Sequence, residues 1–316
     1  MNKKTTVGHT MALVTIVIWG TTFISTKILL TDFTPIEILF FRFLLGLLVL
    51  IVVYPKRLGI KDKKQELTFA AAGLCGICLY YLLENIALTY TMASNVGVII
   101  SAAPFFTAVL SRVLLKADEK LKAQFLIGFI VAMTGICLIS FSGGALQLNP
   151  IGDILAIAAA FVWAIYSLLT RKISGYGYNT IQTTRRIFTY GIFFMLPFLF
   201  VFDFSLDVQK VFKLEYALNL IYLGLGASAL CFVTWNYAVK VLGAVKTSVY
   251  IYIVPVITVV TSVIVLKEEI TWMVAAGIGF TLIGLFLSES KLKFKQVKTS
   301  IFNHLSNTRL SIFCYF

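Results

Sequence analysis

Glu84 is a carboxylate deep inside an apolar run, in Tyr80-Tyr81-Leu82-Leu83-Glu84-Asn85. An ionisable group within a membrane-spanning helix costs about 2.5–3.5 kcal/mol on insertion scales, and it commonly faces a cavity or a partner. If Glu84 faces a cavity it can carry a proton or hold a substrate amine, and it is the candidate for proton coupling. If it pairs with an Asn or Tyr, its role is packing. Arg42 and Arg186 each stand in an apolar segment. They can attract an anionic group, anchor their helices at the interface, or, for Arg42, pair with Glu37. Lys246 lies in the first turn of another apolar run, where it can snorkel toward water or, as the weaker alternative, meet substrate.

Aromatic and polar side chains at similar depth complete the candidate substrate-binding set. These are Trp19, Tyr80, Tyr81, Asn85, Ser101, Trp163, Tyr166, Trp235, Asn236, Tyr250 and Tyr252, together with Glu84. Their rings can shape a chamber for an amino acid or an aromatic metabolite, or simply pack helices together. Pro104 and Pro255 withhold amide donors from the carbonyls of Ile100 and Ile251. Both prolines are candidate hinges, and Ser101 is placed to satisfy a freed carbonyl. Gly73, Gly76, Gly97, Ala102, Ala103, Gly128, Gly135, Gly277 and Gly284 read as contacts that let helices approach closely.

The surroundings of these residues leave one kind of scaffold. The chain has 316 residues, 59% hydrophobic and 13% charged, against about 25% charged in a soluble domain. Such a surface suits lipid, not water. Ten runs are long enough to span about 30 Å of hydrocarbon: 10–30, 34–54, 67–89, 93–115, 122–142, 151–170, 180–202, 215–239, 244–266 and 271–289. They are continuous rather than alternating, which excludes a β-barrel. The expected fold is an all-α integral membrane protein of ten transmembrane helices. The basic start, Lys3 and Lys4, precedes a run too long for a signal peptide, so that run reads as the first span.

The net charge of +13 is distributed as topology-setting charge, with no nucleic-acid groove. With the N-terminus inside, 18 basic residues lie in inside segments and three, Lys210, Lys213 and Lys267, lie outside. The expected setting is therefore the inner (plasma) membrane, crossed many times, with both termini cytoplasmic. The tail 291–316 is basic and mixed apolar, suited to the inner leaflet or to disorder. Cys75 and Cys78 have C-x-x-C spacing, yet no second pair or nearby His accompanies them, so they and Cys137, Cys231 and Cys314 read as small packing residues. No metal, cofactor or catalytic constellation is expected, and no phosphate-binding G-x-x-x-x-G-K-[ST] loop occurs.

The chain also repeats itself. A shift of 144 residues places Trp19 on Trp163, Lys27 on Arg171 and Arg42 on Arg186; a shift of 151 places Asn85 on Asn236 and Pro104 on Pro255; a shift of 149 places Glu119 on Glu268, Gly128 on Gly277 and Gly135 on Gly284. At the position of Glu84 the second copy has Trp235. Each copy holds five spans, 1–142 and 143–290. Five is odd, so the copies enter the bilayer from opposite faces as inverted repeats, the architecture of alternating access around a midplane site.

The repeated set of first-helix Trp, second-helix Arg, fourth-helix Pro and a Glu nine residues before Gly resembles the EamA-like members of the drug/metabolite transporter superfamily over about residues 8–290. The resemblance implies export of amino acids or similar small metabolites. The expected partners are a small-molecule substrate, the bilayer and, as candidate coupling ions, protons; a homodimer stays open. A passive facilitator or channel is the alternative, and a membrane-embedded enzyme a weaker one.

Overall fold

The computed structural model describes residues 3–60, 62–90, 93–114, 123–141, 150–202, 204–205, 207–266 and 271–289. Among these every regular element is a helix. Six are long and apolar enough to cross a membrane: α1 (Lys3–Leu29), α2 (Pro35–Val53), α3 (Lys63–Tyr90), then α7 (Pro150–Ser174), α8 (Thr180–Val201) and α10 (Leu214–Leu242). Between α3 and α7 lie α4 (Ala93–Ile100), α5 (Ala103–Leu114) and α6 (Ala123–Phe141); α9 (Val208–Phe212) is a single short turn before α10; α11 (Ala244–Ser248), α12 (Val254–Leu266) and α13 (Trp272–Glu289) follow. The repeated Glu119 and Glu268, Lys267, His304, Cys314 and the tail lie outside the described residues.

Local chemistry fixes the helix starts. Thr34 caps α2 in a capping box with Glu37, and Pro35 occupies the first helical position, where its missing amide is harmless. Asp62 caps α3 through Lys64 N, and Asn179 caps α8 through Ile181 N. Gly243, at φ +94°, breaks the chain between α10 and α11.

Two expected spans are not continuous. The run 93–115 is broken at Ser101 and Ala102, and α5 restarts with Pro104 as its second residue. The run 244–266 passes through a 3₁₀ turn, Val249–Ile253, and α12 likewise carries Pro255 second. Each proline thus stands in the first turn of a new helical segment, where it withholds no helical bond. The tighter turn lets Val254 N–H donate to the Ile251 carbonyl. Ser101 Oγ donates to Gly97 O at 2.7 Å, one turn back, and not to Ile100. A further irregularity is paired: α3 widens to π-helix over Leu74–Leu79, and α10 does so over Tyr222–Leu230.

The packing pairs exchange with one another when the halves are swapped. α1 packs on α10 as α3 packs on α7; α2 on α10 as α3 on α8; α1 on α12 as α5 on α7; α2 meets α8 and α6 meets α13. Glycines set the closest approaches. A Cβ on Gly284 would lie 2.3 Å from Ala132 N, one on Gly135 2.5 Å from Gly277 O, and one on Gly73 2.6 Å from Ile187 O. In lipid, close van der Waals contact of this kind is the main source of helix association. Leu48, Val52, Phe193, Phe200 and Phe286 are exposed, as a lipid-facing surface requires.

Candidate functional site

The widened turn of α3 is followed directly by the residues that carry the site. Tyr80 and Glu84 are four residues apart and Tyr81 and Glu84 three, so all three share one face of the helix. That face meets α1 and α7 in a cavity of about 40 Å³, lined by Trp19, Tyr80, Tyr81, Glu84, Ser101 and Trp163 among others. At about 10–15 Å³ per water, this holds a few waters or one small molecule in their place. The walls are aromatic. Trp163 meets Tyr80 at 4.7 Å and Trp19 at 5.2 Å between ring centroids, and Tyr80 meets Tyr81 edge to face at 4.7 Å.

Two of the residues that line the cavity carry a buried polar atom with no hydrogen-bond partner within the protein, Glu84 Oε2 and Trp163 Nε1. One is an acceptor and the other a donor. Leaving such groups buried and unpaired is costly, and a ligand that satisfies both recovers that cost. The two repeat-related tryptophans differ here. Trp19 Nε1 donates to Ala227 O at 2.9 Å, within the π-helical stretch of α10, whereas the indole N–H of Trp163 is buried without a partner.

Behind the Tyr81 wall lies Arg42, 2% exposed. It makes no pair with Glu37 and does not reach water. Glu37 is occupied by its own cap at Thr34 N and by Ser205 N and Oγ at 3.1 and 3.2 Å. Arg42 instead donates Nε–H to Ser228 Oγ at 3.1 Å and lays its guanidinium 4.4 Å from the Tyr81 ring centre. Its Nη2 has no partner. A buried cation and a buried carboxylate thus flank one tyrosine without an ion pair between them; among the described residues the only ion pair is Arg186–Glu66.

The comparisons with known proteins bear on this architecture. Residues 6–141 and 150–289 each match the EamA-like transporter family. The chain belongs to that family, within the drug/metabolite transporter superfamily. An uncharacterized transporter of Archaeoglobus fulgidus is 30% identical over 92% of this chain and 99% of its own length. A probable terminal-alkyne amino-acid exporter of Streptantibioticus cattleyicolor is 26% identical over 69% of this chain and 71% of its own. A solved crystal structure aligns with a TM-score of 0.72 at 18% identity, over 89% of this chain and 97% of that one, and shares the fold. This EamA-like chain is accordingly a multi-pass membrane transporter with a small-molecule substrate.

Six of the twelve candidate residues of this transporter line the cavity: Trp19, Tyr80, Tyr81, Glu84, Ser101 and Trp163. The others lie elsewhere. Asn85 donates to Pro35 O at 3.2 Å and ties α3 to the start of α2. Tyr166 donates to Asn236 Oδ1 at 2.9 Å, and Asn236 donates to Thr184 Oγ1 at 3.0 Å. Trp235, fully buried, packs 5.1 Å from Trp19. The Tyr250 hydroxyl meets His9 Nδ1 at 2.6 Å, and Tyr252 is buried against Phe129.

The sequence reading missed Thr22, Phe23, Ile100, Ile251 and Val254 on the cavity wall, and took Gly97 for a packing contact. A Cβ on Gly97 would meet nothing within 4 Å, so Gly97 opens on space. Thr22 had a usable signal, three residues from Trp19 on the same face. The apolar lining had none that separates it from any other core position. Lys246 is exposed on α11, as snorkelling requires.

Proposed function

We propose that this chain is a secondary transporter that exports an amino acid or similar amine-bearing metabolite across the inner membrane. It works by alternating access between two inverted five-helix repeats, 1–142 and 143–290, with both termini and the tail 291–316 cytoplasmic. The observation that carries the reading is that two residues lining the aromatic cavity hold unpartnered polar atoms, Glu84 Oε2 and Trp163 Nε1. An ammonium group suits the carboxylate and the ring faces of Tyr80 and Trp163. A carboxylate on the same small molecule accepts from the indole N–H. Glu84 is also the proton carrier: it releases its proton when the substrate amine arrives and regains it when the amine leaves.

Three features support the mechanism. The packing pairs exchange when the halves are swapped, as two repeats related by a pseudo-two-fold axis require. The broken segments at Ser101 and at Val249–Ile253 both border the cavity, and interrupted helices commonly form midplane transport sites. The amino-acid exporter among the relatives agrees with the chemistry of the cavity.

The test is counterflow in proteoliposomes of purified protein. A panel of labelled amino acids, plain amines and plain carboxylates is offered with and without a pH gradient. Saturable exchange of amino acids, with weaker exchange of the single-charge compounds, is the expected result. Exchange of neutral or purely anionic compounds alone would overturn the reading.

A further inference from the structure

A second built cavity lies at the edge of the bundle, where the end of α2 faces the first half of α8. Its volume is about 380 Å³, and it is lined by Arg57, Arg185, Arg186, Gln182, Thr189 and Ile51, among others. The segment after α2 is pinned in place to form it. Arg185 donates to Tyr54 O and Lys56 O, each at 2.6 Å, and Gln182 Nε2 donates to Lys56 O and Arg57 O at 3.1 and 3.3 Å. Arg186 is neutralised by Glu66. The Arg57 guanidinium forms no ion pair among the described residues, and Arg185 keeps donors beyond the two it has used. The cavity therefore carries two uncompensated positive charges.

Directly beside these cations the surface turns apolar. Thr189, Phe193, Leu196 and Phe200 recur on one face of α8 at helical spacing, and the last three are exposed. On α2, Leu48, Ile51 and Val52 are exposed as well. A polar, cationic pocket continuous with an apolar strip at a helix end is the shape of a phospholipid: phosphate above, acyl chains below. Basic pockets between transmembrane helices bind anionic head groups in this way.

We propose that this groove binds an anionic phospholipid, with its phosphate between Arg57 and Arg185 and its chains along α2 and α8. The inference needs the groove only at a water–lipid boundary, so it stands apart from the transport reading.

Native mass spectrometry of the full chain released from detergent tests it, with phosphatidylglycerol, phosphatidylethanolamine and inorganic phosphate added in turn. Phosphatidylglycerol adducts are expected to survive activation that strips phosphatidylethanolamine. Arg57→Gln is expected to weaken phosphatidylglycerol binding about fivefold, the effect of one basic residue near a membrane surface, while Lys172→Gln, an exposed basic residue on another helix, leaves it unchanged. Three results would overturn the proposal: equal retention of the two lipids, equal binding by the two variants, or displacement of phosphatidylglycerol by millimolar inorganic phosphate, which would make the ligand a free anion.

Discussion

Trp19 and Trp163, which occupy matching positions in the two halves of the chain, meet edge to face with ring centroids 5.2 Å apart. Their indole N–H groups part ways. One is bound to Ala227 O, and the other is buried without a partner in a residue that lines the cavity. The site is therefore asymmetric although its scaffold repeats, and the asymmetry can be measured.

Replacing each tryptophan by phenylalanine separates the two roles. Trp163→Phe keeps an aromatic ring and removes the unpartnered donor, so a carboxylate-bearing substrate should bind about tenfold more weakly, while the melting temperature falls only by the packing lost with the smaller ring. Trp19→Phe strips the bond from a buried carbonyl, which costs about 1–3 kcal/mol. Its main effect should be a lower melting temperature. Binding titrations and thermal unfolding in detergent distinguish the two.

Glu84→Gln keeps size and hydrogen bonding but cannot lose a proton. Flux driven by a pH gradient should disappear, while exchange of substrate for substrate continues. Proteoliposome flux with the gradient on and off reads this directly. Gradient-driven flux equal to that of the unmodified protein would remove Glu84 as the proton carrier.

Gly97 and Gly76 make opposite forecasts. A side chain on Gly97 enters open space, so Gly97→Leu should fold normally and block transport. A Cβ on Gly76 would come within 2.1 Å of the Tyr166 ring. Gly76→Ala should then destabilise the bundle by about 1–3 kcal/mol, the usual cost of overpacking. Transport rate plotted against melting temperature for the two variants tests the contrast.

Gly135→Leu and Gly284→Leu force apart backbones that touch. Either should lower the melting temperature by several degrees and reduce the yield of folded protein. The cavity is lined by other helices, so the substrate affinity of the folded fraction should be unchanged. A fluorescence size-exclusion profile after heating gives the first quantity, and a binding titration gives the second.

Much of the scaffold was legible because lipid simplifies the code. An apolar run of about 20 residues in a bilayer is a helix, and α2, α6, α8 and α13 begin and end within a residue or two of the predicted runs. What escaped was the interior of those runs. Pro104 and Pro255 marked a change of course, but not whether the helix would bend or break, since that depends on the packing around Ser101 and the 3₁₀ turn. The π-helical stretches had no periodicity to announce them. Glu84 stood out as a lone charge in apolar surroundings. Asn85, its neighbour, looked equally polar and turned to Pro35 instead, because successive residues on a helix face different ways. Arg42 looked able to reach an interface, yet the chain folds around it, and Ser228 and Tyr81 come from helices far along the sequence.

The pairing of α6 with α13 has a consequence for how the molecule is made. Ribosomes deliver the chain in order, so α6 enters the bilayer long before its mate exists. Until then the glycine face at Gly128 and Gly135 is open to lipid or to other newly made chains. The first half waits in an unfinished state, and only synthesis of the final described helix closes the bundle.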